Sequence, residues 1–151
     1  MRFAAICTAG FLLAAAFCYA PAASNELGGL IPVETLIVTR EAEGIRIDGG
    51  TVCGRGADWE AAMEDLLASA AGTVFLETVE RMVLAEAAGE VLAEAREEPR
   101  LRPSVQLYFL RGKVNGGLAE FAAALEGEAT LESGAAIPVI VEDAGRYRLA
   151  G

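Results

Sequence analysis

The sequence predicts a single domain of the α+β (or α/β) class, a mixed β-sheet with about three amphipathic helices packed on it, in the order ββ-α-β-α-β-α-ββ. Three observations predict it. β-Branched runs of strand length alternate with stretches whose apolar residues recur at helical spacing. Gly, Asp and Asn punctuate the runs. No long linker, internal repeat or low-complexity stretch interrupts the 151 residues, and 54% apolar content is too high for a disordered chain.

After a short lead from Ser24 to Pro32, Val33 to Arg40 (VETLIVTR) is rich in β-branched residues and reads as a strand. Glu41 to Gly44 turns the chain. Gly44 to Asp48 alternates, with Ile45 and Ile47 on one face and Arg46 and Asp48 on the other, which makes it the partner strand. Gly49-Gly50 allows a bend or bulge before an extension over Thr51 to Arg55. Asp58 to Ala71 is the clearest helix: Asp58 is its N-cap, and Gly72 sits where a left-handed C-terminal cap belongs. Its stripe is Trp59, Met63, Leu66, Leu67 and Ala70, which core packing explains better than a ligand pocket.

Thr73 to Thr78 fits a helical turn or a strand equally well, and Val79 to Ala85 is strand-like. Ala87 to Glu98 is a second helix with Ala88, Val91, Leu92 and Ala95 inward, stopped by Pro99. Ser104 to Arg111 is a strand with apolar residues on both faces, hence central, and Gly112 closes it. Asn115 is the expected cap of a third helix running to Glu126, ended by Gly127. Ile137 to Glu142 and Arg146 to Leu149 flank Asp143-Ala144-Gly145 as a hairpin.

The N-terminus carries an address. Arg2, the apolar run Phe3 to Phe17 and the small-x-small pattern Ala20-Pro21-Ala22 describe a secretory signal, residues 1–22, with cleavage after Ala22. The domain is then 23–151. An uncleaved anchor is the first alternative, because Phe3 to Ala23 is uncharged and long enough to span a bilayer. Lipid attachment at Cys18 is the second, although Phe17 is bulky where a lipobox needs a small residue. Each places the chain outside the cytoplasm, secreted or held at the outer face of a membrane. After cleavage only Cys53 remains, so an intramolecular disulfide is not expected.

Charge narrows the function. Twelve Lys+Arg stand against 22 Asp+Glu, a formal charge of −10, with no histidine. Such a surface repels phosphate backbones and anionic headgroups, so neither nucleic acid nor a polybasic membrane mode is expected, and membrane association would run only through the N-terminal segment. The commonest general base and metal ligand is missing. The glycine-rich run Gly49 to Gly56 lacks the Lys and Ser/Thr of a phosphate loop, and Asp58 and Glu60 would oppose an anion there. Cys53 has no histidine to activate it. The acidic pairs Glu97-Glu98 and Glu142-Asp143 are expected on a solvated face, and Arg96, Arg100 and Arg102 form a loop around a helix end. No catalytic residue, cofactor site or metal site is assigned.

Three features in order resemble the N-terminal domain of the spore-germination C-subunit lipoproteins (the Ger(x)C type). They are Gly54-Arg55-Gly56 before Trp59-Glu60-Ala61-Ala62-Met63; Val74-Phe75-Leu76-Glu77-Thr78 leading into Met82-Val83-Leu84-Ala85-Glu86; and Pro99-Arg100-Leu101-Arg102 before the strand Val105 to Leu110 and Gly112-Lys113. The resemblance covers Val33 to Leu125, and Thr78 stands where that family often has His. It implies a non-catalytic domain outside the spore inner membrane that assists germinant sensing, with envelope or germination-receptor proteins as partners. Two other functions compete: a secreted solute- or peptide-binding module, which requires an apolar cavity with convergent polar groups, and a hydrolase, which requires two facing acids with one raised pKa.

Overall fold

The computed structural model describes residues 29–151. Seven strands form one mixed sheet: β2 (Thr35–Glu41), β3 (Gly44–Asp48), β4 (Cys53–Gly56), β6 (Arg81–Ala85), β7 (Gln106–Arg111), β8 (Val139–Asp143) and β9 (Arg146–Leu149). Their spatial order is β4-β3-β2-β6-β7-β8-β9. The centre, β2 to β8, is parallel, and an antiparallel hairpin extends each side. A second, two-stranded parallel sheet joins β1 (Leu30–Pro32) to β5 (Thr73–Phe75). The helices are α1 (Trp59–Ser69), α2 (Leu92–Glu97) and α3 (Leu118–Ala123), with 3₁₀ turns at Leu76–Thr78 and Glu86–Val91. The predicted class holds, and the order holds with β1, β4 and β5 added: the stretch after Gly49-Gly50 does not extend β3 but folds back as β4, antiparallel to it.

Strand alternation divides the core in two. Leu36, Val38, Ile45, Ile47, Met82, Leu84 and Leu107 point to one face, where Trp59, Ala62, Met63 and Leu66 of α1 meet Ala88, Val91 and Ala95. Val83, Tyr108, Leu110 and Ile140 point to the other, beneath Leu118 and Ala122 of α3. The sheet is therefore sandwiched between two unequal helical layers.

Local chemistry sets the boundaries. Asp58 accepts a hydrogen bond from the Ala61 N–H at 2.9 Å, the expected N-cap. Gly72 is not the left-handed C-cap: Ala70 ends α1 in extended conformation, and Gly72 instead lies against the Gly29 carbonyl. Asn115 is not the cap of α3 either. Gly117, at φ +88, precedes that helix, while the Asn115 N–H donates to the Tyr147 hydroxyl. The second predicted helix starts as a 3₁₀ segment and becomes α only at Leu92, with Leu92 half-buried. Thr73 to Thr78 is both alternatives in turn, a strand and then a 3₁₀ turn.

Candidate interaction site

The residues singled out for chemistry scatter into structural roles. Gly54 and Gly56 lie under α1, so close that a Cβ on Gly54 would sit 2.1 Å from the Ala62 carbonyl oxygen and one on Gly56 2.3 Å from the Ala62 nitrogen. The glycine-rich run is thus a docking platform for a helix. Cys53, on β4 beside Asp48, is partly buried and unpaired. Cys18 and Ala22 lie outside the described residues.

One expectation is corrected. Glu98 is not on a solvated face but is 8% exposed, and it accepts from the Trp59 indole at 3.3 Å and from the Arg100 guanidinium at 2.7 Å. Pro99 ends the helix and turns the chain so that Arg100 folds back over Glu98. Burial alone would push the Glu98 carboxyl up. The bonds from Arg100 and Trp59 outweigh it and hold the carboxyl below the usual carboxylate range. That is the opposite of what a general acid needs. Glu142 serves the hairpin, accepting from the Gly145 N–H at 2.8 Å. Among the described residues no group of three or more His, Cys, Asp or Glu is placed to hold a metal ion.

Two surfaces remain. The first is a cleft of about 710 Å³ at the carboxyl ends of the parallel strands, lined by Thr39, Arg40, Ala85, Leu110, Gly112 and Lys113. After β6 the chain crosses to the α1/α2 face, and after β7 to the α3 face, so these strand ends form the crevice where open sheets bind ligands. Arg40 is paired with Glu90 and Arg111 with Glu86, 3.4 Å apart, leaving the cleft with mixed charge and no nucleophile–base pair.

The second is the β7–β9 side of the α1/α2 face. On this face α1 packs over β3 and β4 and the 3₁₀ segment Glu86–Val91 over β2, β6 and β7, and Val139 and Val141 of β8 stay half-buried. Register orders this side into rows. Phe109 and Val139 are neighbours, with Ala150 bonded to the Val139 carbonyl. Arg111, Val141 and Arg148 form the next row, and Asp143 and Arg146 the last. A hollow of about 230 Å³ opens beside the first row between Gly89, Phe109 and Val139. Gly89 leaves it open, since its missing side chain would have pointed at the Phe109 ring. Three of the chain's twelve basic residues thus border one apolar strip of an acidic protein.

Sequence reasoning did not find this strip. Val139-Ile140-Val141 is apolar on both sides, and only the register shows that Ile140 is buried under α3 while the valines lie on the α1/α2 face. Among the described residues no helix is long and apolar enough to cross a membrane. No family model, no curated protein and no solved structure matches this chain.

Proposed function

We propose that the chain is a non-catalytic, exported domain that works by protein contact at an envelope surface, akin to the N-terminal domain of the spore-germination C subunits. The observation that carries this reading is the half-covered apolar strip Phe109, Val139 and Val141, bordered by arginines on a fold in which Asp58 caps α1 and Glu98 pairs with Arg100. A strip of this kind fits a partner surface better than a small molecule. The motif order quoted for the germination domains supports the same reading, with Gly54 and Gly56 seating α1. The test is to follow the protein with an antibody by fractionation through growth and sporulation of its host. Accumulation in the spore membrane fraction supports the reading, and constitutive release into the medium contradicts it.

A second reading, a solute- or peptide-binding module, draws on the carboxyl-end cleft with Thr39, Arg40 and Lys113. It predicts that a small carboxylate, amino acid or short peptide raises the melting temperature in a thermal-shift screen. The contact reading predicts no such shift.

A further inference from the structure

The protein-contact reading leaves the partner's chemistry open, and the rows on β7, β8 and β9 define it. We infer that this side of the sheet receives an acidic amphipathic helix of another protein, laid along β8, and this assignment rests on the contact reading. Its apolar stripe would cover Val139 and Val141, with one large side chain in the hollow between Gly89 and Phe109. Arg111 and Arg148 stand on either side of Val141, two strands apart. Two strand spacings are about 10 Å, which is about the width of a helix. Carboxylates on the two borders of the helix's apolar stripe therefore meet one guanidinium each. Helical backbone already covers this same face, α1 over β3 and β4 and the 3₁₀ segment Glu86–Val91 over β2, β6 and β7.

Charge selects the occupant. Arg111, Arg146 and Arg148 outnumber Glu86 and Asp143 on this side, against −10 for the whole chain. Arg111 shares its guanidinium with the exposed Glu86, which a partner carboxylate can displace. A second copy of the chain fits poorly. Its longest helix among the described residues, α1, is acidic outside, but its apolar stripe is already buried at Trp59, Ala62, Met63 and Leu66. In-register pairing of two β9 edges would oppose arginine to arginine. An anionic lipid surface would meet Glu86, Asp143 and the chain's overall negative field.

The test uses two fluorescent synthetic helical peptides with the same leucine stripe, one bordered by Glu and one by Lys, titrated against the full chain at low salt. The Glu peptide is expected to bind about tenfold more tightly than the Lys peptide. Arg111→Glu with Arg148→Glu, both exposed positions, should reverse that preference, and Val141→Glu should weaken binding of both peptides. Reversal of preference is a gain that a merely unfolded variant cannot give. Equal binding of the two peptides, binding of neither, sedimentation as a dimer that Arg148→Glu dissolves, or binding only to anionic phospholipid vesicles would each overturn the assignment. Failure here with accumulation in the spore membrane fraction removes the acidic helix and keeps the contact reading. Release into the medium removes the contact reading itself.

Discussion

Adding one methyl group at Gly54 should lift α1 off the sheet. The Cβ of Gly54→Ala would lie 2.1 Å from the Ala62 carbonyl oxygen, 2.4 Å from the Leu66 nitrogen and 2.6 Å from the Leu66 Cβ. Two of the three are backbone atoms, so no side-chain rotation relieves the clash. Ordinary contact needs about 3.5 Å or more, so α1 must retreat by about 1.4 Å over β4. Its buried residues, Trp59, Ala62, Met63 and Leu66, all point into the core and move with it. Overpacking of this kind costs about 1–3 kcal/mol, and the rigid helix places Gly54→Ala at the upper end, about 3 kcal/mol. Gly56→Ala, 2.3 Å from the Ala62 nitrogen, should behave alike. Gly134→Ala is the control, because nothing lies within 4 Å of its Cβ and its φ is not positive. The assay is urea unfolding followed by Trp59 fluorescence, with slopes compared to confirm a shared unfolded reference. A loss below about 1 kcal/mol for Gly54→Ala, or one equal to that of Gly134→Ala, would refute the close seating of α1.

Other outcomes follow from the same contacts. Arg100→Ala should cost about 1–2 kcal/mol, less than a fully buried pair would, because the arginine side chain is 39% exposed although that of Glu98 is buried. Since the folded Glu98 carboxyl lies below its ordinary value of 4.5, its contribution is full above that pH and is lost as pH falls through the folded value. The stability gap between wild type and Glu98→Gln, read from urea midpoints, should therefore narrow below pH 4.5. Thr78 Oγ1 accepts from the Val33 N–H at 3.0 Å and lies 2.6 Å from the Phe75 carbonyl. Thr78→Val should cost about 1–2 kcal/mol and speed amide exchange at Val33, whereas Thr78→Ser should retain most of the stability. Ala144 sits at φ +51 beside Gly145 at φ +80, a turn that favours Asn at the first position. Ala144→Asn should stabilise by about 0.5 kcal/mol, seen as a raised melting temperature.

What could be read from the chain was what local chemistry dictates. Gly44–Asp48 is a strand with the expected bounds because Ile45 and Ile47 alternate with charge. α1 follows from its stripe and the Asp58 cap, and the β8–β9 hairpin from Asp143-Ala144-Gly145. The start of the second helix was misread because Glu86 to Val91 is alanine-rich, so composition alone does not separate a 3₁₀ turn from an α-helix. Glu98 looked solvated because its indole partner, Trp59, is 39 residues away and leaves no local signature. Gly54 and Gly56 are two residues apart and therefore share a strand face, a signal for close helix approach that the phosphate-loop comparison obscured. The interaction strip needed the register of three strands, which no single run of residues encodes.

The most direct measurement is site-specific photo-crosslinking in the native host, with a photoreactive residue at Val141 and, as control, at the exposed Glu64 of α1. The account predicts one discrete protein adduct from Val141 in the envelope fraction, abolished by Arg148→Glu, and none from Glu64. No adduct at Val141, or equal adducts at both positions, would contradict it.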